Sequence, residues 1–165
     1  MAKQFISTEA LERMLSRNLG WVSSADSKVA PILAMSTAML GTLAAFFATK
    51  TNLGGIQLVL LAVSTLLLLA SIVFLGTAVF PRTRGPADSV VFFGAIAGLP
   101  KDRYIRKLAS LTEEEFHRDL AVQCHRNAQI AAAKYKAVRR AMACLLAGIL
   151  PWLLTLWQLW SYKKP

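Results

Sequence analysis

The sequence predicts an all-α integral membrane protein with three transmembrane helices, the first and third of which extend into the cytosol as long helices. Three stretches, 29–49, 51–81 and 141–162, contain no charged residue. Each is long enough to cross a hydrocarbon core about 30 Å thick as a helix. Because a soluble chain of 165 residues has no core large enough to hide three such helices, the bilayer is their expected solvent.

The basic residues predict how the chain is oriented in the membrane. Of the 19 Lys and Arg residues, twelve lie between positions 82 and 140 and four precede the first span. The positive-inside rule therefore places the N-terminus and the 81–140 segment in the cytoplasm and the 161–165 tail outside. Because this distribution explains the net charge of +10, we expect no nucleic-acid partner.

A cytosolic helix is predicted within residues 1–28, leading into transmembrane helix 1 at 29–49. Ser7 and Thr8 offer a helix start, and mostly apolar residues then recur at three- and four-residue spacing. We expect this helix to continue into the membrane, because a proline such as Pro31 is tolerated where neighbouring groups satisfy the freed carbonyl. The stripe consists of Leu11, Leu15, Asn18, Val22 and Ala25.

A tight connection at 50–55 predicts an antiparallel hairpin between transmembrane helix 1 and transmembrane helix 2, which we assign to 56–80. The following 81–140 segment has no apolar run long enough to span and is predicted to form a small cytosolic helical region. Within it, 90–94 is compatible with a strand or with an element packed on the helices, and 101–110 indicates a short basic helix. Thr112 and Glu115 have capping-box spacing, so a new helix is expected to start there.

A second apolar stripe begins at Phe116 and meets no Gly or Pro before transmembrane helix 3, assigned to 141–160. The cytosolic helix and the span are therefore predicted to be one continuous helix. We expect the two long cytosolic helices to pack antiparallel through their stripes. The second stripe consists of Phe116, Leu120, Cys124, Ala128, Ala131, Tyr135, Val138 and Met142.

The residue types argue against several classes of function. The chain has no phosphate-binding glycine loop, HExxH, GxSxG or CxxC motif, so we expect no enzyme activity and assign no catalytic residue. No ionisable residue lies inside a span, which argues against a pump or an ion-coupled transporter. His117, Cys124 and His125 are the only cluster of soft ligands, and helical spacing turns His125 away from the other two. We therefore expect no metal site, because zinc needs three or four converging ligands.

Small and hydroxyl-bearing residues inside the spans leave alternatives open. The small residues favour either close packing within the chain or a face for a homo-oligomer. The hydroxyl groups either line a wet path in an assembly or bond back to their own helices. The small residues are Ala34, Ala38, Gly41, Ala45, Ala143 and Ala147, and the hydroxyl residues are Ser36, Thr37, Thr42, Ser64, Thr65 and Ser71.

Asp26 and Lys28 lie at the predicted membrane boundary and need partners there. Given a helical rise of about 1.5 Å per residue, Lys134, Arg139 and Arg140 lie at a depth similar to that of Asp26. A salt bridge between Asp26 and one of these residues is therefore our hypothesis. The alternative is that these are solvated charges that anchor the helix ends.

Several short motifs carry a family resemblance by their order and their placement relative to the spans. They are Trp21-x-x-x-Ala25-Asp26-x-Lys28 before the first span, Phe92-Phe93-Gly94 and Leu108-x-x-Leu111-Thr-x-Glu-Glu115 in the cytosolic region, and Gln123 and Lys134-Tyr135 before the third span. Together they resemble the Pycsar effector family of small bacterial membrane proteins. The resemblance covers residues 15–154.

This resemblance implies a dormant protein of the bacterial inner membrane that acts in anti-phage defence by abortive infection. A phage-activated pyrimidine cyclase, the functional partner, would make cyclic CMP or cyclic UMP. This nucleotide would be an activating ligand rather than a resident cofactor. The activated effector would then impair the membrane, with a homo-oligomer expected on activation.

One feature departs from what the resemblance implies. A dedicated domain that senses the ligand, such as a cyclic-nucleotide-binding β-barrel, would not fit in this chain. Either the cytosolic helices bind the nucleotide themselves or another protein senses it. A ligand wedged between the long helices would change their crossing and shift spans one and three. An aromatic residue would stack on the base, and anionic lipid is the alternative partner of each basic residue. The candidate phosphate ligands are Arg103, Arg106, Lys107, Arg126 and Lys134.

Two other functions fit the sequence. One is a membrane adaptor or structural subunit whose cytosolic helices dock a partner, which exposure of Phe92 and Phe93 would favour. The other is a holin-like pore former that assembles without a ligand. The cytosolic insert argues against the second, because simple holins need no such region.

Overall fold

The computed structural model describes residues 6–48, 54–80 and 85–161 and contains no strand in these segments. Three helical stretches, Thr8–Ala48, Gly55–Val79 and Glu113–Gln158, are long and apolar enough to cross a membrane. The predicted fold class is therefore confirmed. The helices within the described segments are α1 (Thr8–Asp26), α2 (Val29–Ala48), α3 (Gly55–Val79), α4 (Phe93–Ala97), α5 (Lys101–Ala109) and α6 (Glu113–Ser161).

The expected continuation of the first helix is interrupted at Ser27 and Lys28, which form a turn between α1 and α2. Pro31 explains where this turn lies. Proline has no N–H to donate to the carbonyl four residues earlier, which here belongs to Ser27, and its ring clashes with that carbonyl. The predicted single helix is therefore two consecutive helices. The 50–53 part of the predicted hairpin connection lies outside the described residues.

Helix α6 is continuous over 49 residues, as predicted. Its start is the predicted capping box, in which the Thr112 N–H donates to Glu115 Oε2 at 2.9 Å and the Glu115 N–H donates to Thr112 Oγ1 at 3.3 Å. The early part of the stripe is buried or half-buried, whereas Tyr135 and Met142 are exposed. In this part of α6 the buried face of the helix is formed instead by Ala137, Ala141 and Leu145.

The chain divides into two compact units. The first, called here the insert unit, contains Met1–Ser24 and Pro81–Ala133. The second, called the span unit, contains Ala25–Phe80 and Lys134–Pro165.

In the span unit, α2, α3 and the C-terminal part of α6 form a three-helix bundle. The hydroxyl of Ser36 on α2 donates to Ser71 Oγ on α3 at 3.3 Å, and Phe47 and Leu61 line one cavity further along the two helices. This order makes α2 and α3 antiparallel, as predicted. The Trp152 indole N–H on α6 donates to the Met39 carbonyl at 3.2 Å and therefore joins α6 to α2.

Five of the six hydroxyl groups predicted in the spans, all except that of Thr65, form hydrogen bonds within the described part of the chain. Thr37, Thr42 and Ser64 donate to carbonyls three or four residues earlier in their own helices, which is one of the two predicted alternatives. Ser71 instead donates to the Ala141 carbonyl at 2.9 Å and joins α3 to α6. These bonds stabilise the bundle because no water reaches such groups inside a bilayer.

The small residues of the spans lie on the outer surface of the span unit. All six positions of the predicted set are exposed, four on α2 and two on α6. They do not mediate close packing within this chain, so the first of the two alternatives, intramolecular packing, is wrong for these positions. The core is built mainly from larger residues such as Ile32, Leu43, Leu68 and Leu75. The exposed small residues leave the homo-oligomer alternative open.

Candidate functional site

In the insert unit, α1 packs against the first part of α6. The carbonyl of Ile6 bonds to the ring of His117, and Asn18 Nδ2 donates to the Cys124 carbonyl at 2.9 Å. The order of these pairs shows that the two helices run parallel, so the predicted antiparallel packing is wrong. The reason is topological. Each helix leads into a span, and the α2–α3 hairpin between those two spans returns the chain to the side from which it started.

A groove of 480 Å³ lies between α1 and α6 of the insert unit. Trp21, one of the family-motif residues, lines it and is 52% exposed. Arg17 and Asn18 contribute a cation and a buried amide. Sequence reasoning considered a ligand between the two long helices but did not select Arg17, Asn18 or Trp21 as its contacts. The lining residues are Leu11, Met14, Arg17, Asn18, Trp21, Ala121, Cys124, His125 and Ala128.

Three of the five predicted phosphate ligands lie together. Arg103, Arg106 and Lys107 on α5 line a cavity of 370 Å³ that also includes Asp88 and Ser110. Lys107 Nζ donates to the Asp88 carbonyl at 2.6 Å and lies 3.9 Å from Asp88 Oδ1. The predicted helix at 101–110 is confirmed as α5 (Lys101–Ala109). We call this site the α5 cavity.

The other two predicted ligands lie elsewhere. Arg126 on α6 donates to Gln129 Oε1 at 3.3 Å. Lys134 belongs to the span unit, where its ammonium lies 2.5 Å from Asp26 Oδ1. Of the three cations considered as partners of Asp26, the structure selects Lys134. Neither Arg126 nor Lys134 lines the groove or the α5 cavity.

The salt bridge is part of a cluster of motif residues in the span unit. The Lys134 side chain is 12% exposed and that of Asp26 is 45% exposed. Lys28 Nζ lies 5.3 Å from the centre of the Tyr135 ring, within the range of a cation–π contact. Four residues of the family motifs, from both sides of the α2–α3 hairpin, thus interact in one place.

A polar network fixes the segment before α4 onto α6. The Ser89 hydroxyl donates to Asp119 Oδ2 at 2.9 Å, and the Val90 N–H donates to the same oxygen at 2.8 Å. Gln123, another motif residue, is buried and donates from Nε2 to Ser89 Oγ at 3.0 Å. The role of Gln123 is therefore structural. Of the two alternatives for 90–94, no strand forms, and α4 begins at Phe93.

The Phe92-Phe93-Gly94 motif is explained by the position of one ring. A Cβ at Gly94 would lie 2.6 Å from Phe92 Cε1, and one at Gly85 would lie 2.5 Å from the same atom. Both glycines therefore leave room for the Phe92 ring, which is half-buried. Phe93 is 66% exposed.

Replacing Gly94 with Ala is expected to displace the Phe92 ring and destabilise the insert unit. Overpacking of this kind costs about 1–3 kcal/mol. Thermal unfolding of the detergent-solubilised protein measures the loss. Gly98→Ala is the matched control, because a Cβ there meets only carbonyl oxygens at 3.6 Å. Equal unfolding temperatures for the two variants would show that the Phe92 ring does not require this glycine.

The pH dependence of the α6 start follows from its capping box. Hydrogen bonds from the backbone N–H and the hydroxyl of Thr112 lower the pKa of Glu115 from its usual value of 4.5. A lowered folded-state pKa contributes stability that is present above the unfolded pKa and lost as the pH falls through the folded pKa. We therefore expect the difference in unfolding temperature between wild type and Glu115→Gln to shrink below pH 4.5. Glu114→Gln, the same charge change next to it, should show no such trend.

The soft ligands of the insert unit have other partners. Cys124 Sγ lies 3.4 Å from the Leu11 carbonyl, and burial raises the pKa of its thiol. His125 Nε2 lies 2.9 Å from Gln129 Nε2. Among the described residues, no group of three His, Cys, Asp or Glu is placed to hold a metal ion.

These features define a class of protein: an α-helical membrane protein with three candidate spans and an insert unit that carries two cavities lined by cations. The family model of the Pycsar effector protein domain matches residues 10–159. The chain therefore belongs to the Pycsar effector family, and it is a membrane effector of anti-phage Pycsar defence. No curated protein and no solved structure matches it.

Proposed function

We propose that a cyclic pyrimidine nucleotide activates this effector and that the activated protein impairs the bacterial inner membrane, which arrests or kills the infected cell. Family membership over residues 10–159 carries the proposal. The spans support it, because the segments 29–49, 56–80 and 141–160 contain no Asp, Glu, Lys, Arg or His and so lack the groups that coupled transport needs. The activated protein would then act on the bilayer itself rather than transport a solute.

The proposed orientation places the insert unit where the ligand is made. The excess of Lys and Arg in 82–140 favours a cytoplasmic insert and N-terminus, with the C-terminus outside. A pyrimidine cyclase in the cytoplasm is the proposed functional partner, and cyclic CMP or cyclic UMP is the proposed ligand. No resident cofactor is proposed.

Cations that line either cavity of the insert unit are candidate partners of the phosphate: Arg17 in the groove and three residues of α5 in the α5 cavity. Arg103, Arg106 and Lys107 lie together in the α5 cavity. Arg126 and, in the span unit, Lys134 are weaker candidates, because neither lines one of these two cavities and both already contact another side chain. Each of these cations also suits an anionic lipid headgroup.

Assembly is the proposed route from activation to membrane damage. The exposed Ala and Gly residues of α2 allow close approach of a second helix. Cross-linking in membranes tests this step. We expect higher oligomers after addition of cyclic CMP or cyclic UMP, and an unchanged distribution would contradict assembly.

Dye release from liposomes tests the function. The purified protein is reconstituted into vesicles loaded with a self-quenched dye, and cyclic CMP, cyclic UMP or cyclic AMP is added. We expect release with a cyclic pyrimidine and none with cyclic AMP. Release without any nucleotide would favour the holin-like alternative. No release under any condition would contradict direct activation.

An adaptor is the second candidate function, and the exposure of Phe93 favours it. An adaptor would give no dye release but would lose defence in cells when Phe93 is replaced. In the effector interpretation, Phe93→Ala keeps nucleotide-dependent release. The two readouts together separate the candidates.

A further inference from the structure

We infer that the groove between α1 and α6, rather than the α5 cavity, receives the cyclic pyrimidine nucleotide. The inference rests on the proposed function, because it names where the activating ligand binds. It is carried by three residues that line one groove of the insert unit: an exposed tryptophan, an arginine without an ion pair to the described residues, and a buried asparagine whose amide oxygen accepts no bond from them.

The first group is Trp21. Its indole is half exposed beside apolar residues in a groove of 480 Å³, within the range of about 300–1,000 Å³ that small-molecule sites occupy. An exposed indole provides a flat apolar face on which any nucleobase can stack. Among the described residues that line the α5 cavity none is aromatic, so a base there would have only arginine side chains to stack on.

The second group is Arg17. It lines the groove and has no ion pair or hydrogen bond with any residue that the structure describes. A cyclic nucleotide is a phosphodiester and carries one negative charge, which one guanidinium balances with a two-pronged hydrogen bond. The α5 cavity holds three cations against the single carboxylate of Asp88. That excess suits a more highly charged phosphate group.

The third group is Asn18, which is 7% exposed. Its Nδ2 donates to the Cys124 carbonyl, which fixes the amide, and no donor among the described residues reaches its Oδ1. A buried acceptor without a donor is uncommon and calls for a partner. The N4 amine of cytosine and the N3–H of uracil are both donors, so a pyrimidine base supplies what this oxygen lacks.

Binding of each nucleotide to the full-length protein in nanodiscs of zwitterionic lipid tests the inference. We expect Trp21→Ala to weaken binding about 10- to 100-fold, with Trp21→Phe close to wild type because it keeps a stacking face. Arg17→Gln should weaken binding about 10-fold or more, and Arg17→Lys should recover part of it. Nucleotide-dependent quenching of tryptophan fluorescence should also be lost in Trp21→Phe.

Two control variants make the test specific. Arg13→Gln removes a cation from the same helix that pairs with Glu9 and does not line the groove. The triple variant R103Q/R106Q/K107Q removes the cations of the α5 cavity. Both should bind within about twofold of wild type, and equal helicity and unfolding temperature would show that every variant is folded.

The outcomes separate this inference from the proposed function. Loss of binding in the triple variant, with normal binding in the groove variants, would overturn the inference and leave activation by the nucleotide intact. Absence of binding to wild type would overturn both.

Discussion

Asp26→Lys is expected to lower the unfolding temperature of the protein by several degrees, and the double variant D26K/K134E is expected to recover most of the loss. In the wild type the Lys134 ammonium lies 2.5 Å from Asp26 Oδ1. The single replacement places two ammonium groups at this point, close to the Lys28 that contacts Tyr135. The double replacement restores one positive and one negative charge.

The exposure of the two partners sets the size of the effect. Exposed ion pairs contribute about 0.2–1 kcal/mol, whereas breaking a buried pair costs about 3–5 kcal/mol. Lys134 is 12% exposed and Asp26 is 45% exposed. Solvent therefore screens the pair from the Asp26 side, and the pair stabilises the protein less than a fully buried pair would. We therefore expect about 1–3 kcal/mol, at about 2–4 °C per kcal/mol for a chain of this size.

Thermal unfolding in a mild detergent measures both variants. Asp102→Lys is the matched control, since Asp102 is exposed and has no partner among the described residues. The prediction fails if Asp26→Lys unfolds at the same temperature as Asp102→Lys, or if Lys134→Glu brings no recovery. The same double variant tests whether the motif residues of this cluster act together in dye release.

The membrane helices and the salt bridge were predictable because each depends on local composition and helical rise. An uncharged stretch that is long enough to cross a bilayer has few stable structures other than a transmembrane helix. Asp26 and Lys134 each lie just before a span, and depth along a helix follows directly from residue number. The capping box of Thr112 and Glu115 was predictable for the same reason, because its bonds join residues three positions apart.

Helix direction and the break after α1 were not predicted correctly. Parallel packing of α1 and α6 follows from counting the spans between them, which stripe matching alone does not use. The turn at Ser27 and Lys28 depends on whether Pro31 is accommodated or ends a helix. Both outcomes occur in membrane helices, so sequence alone does not choose between them.

The candidate ligand sites depend on tertiary contacts. Sequence reasoning selected cations by type and found Arg103, Arg106 and Lys107, which α5 brings together by helical spacing. It missed Arg17 and Asn18. Arg17 stands out because it has no partner among the described residues, and Asn18 stands out because it is buried. The Ser89–Asp119 contact joins residues thirty positions apart, and the four-residue spacing of Asp119 and Gln123 on one helix face was its only local signal.

Asp119→Ala is expected to cause the largest loss of stability in the insert unit. Asp119 Oδ2 accepts bonds from the Ser89 hydroxyl and from the Val90 N–H, and both residues are buried. Removing the carboxylate leaves these donors without an acceptor. Each unsatisfied buried group costs about 1–3 kcal/mol, so we expect about 2–6 kcal/mol for the two donors together.

Amide hydrogen exchange shows which residues are affected, and it therefore separates a local effect at Val90 from a general loss of stability. Exchange at the Val90 N–H should accelerate strongly in Asp119→Ala, while amides in the middle of α3 should change little. Asp119→Asn keeps an oxygen acceptor and should lose less stability, and Arg118→Ala, an exposed neighbour on α6, should lose almost none. Slow exchange at Val90 in Asp119→Ala would contradict the prediction.

The effect of Asp119→Ala on activity tests what the network does. The network anchors the segment that leads into α4 and thus fixes Phe92 between Gly85 and Gly94. None of these residues lines the groove between α1 and α6. If the groove alone binds the nucleotide, Asp119→Ala should keep its affinity at temperatures where it remains folded. A loss of affinity without unfolding would instead extend the ligand site to the α4–α5 side of the insert unit.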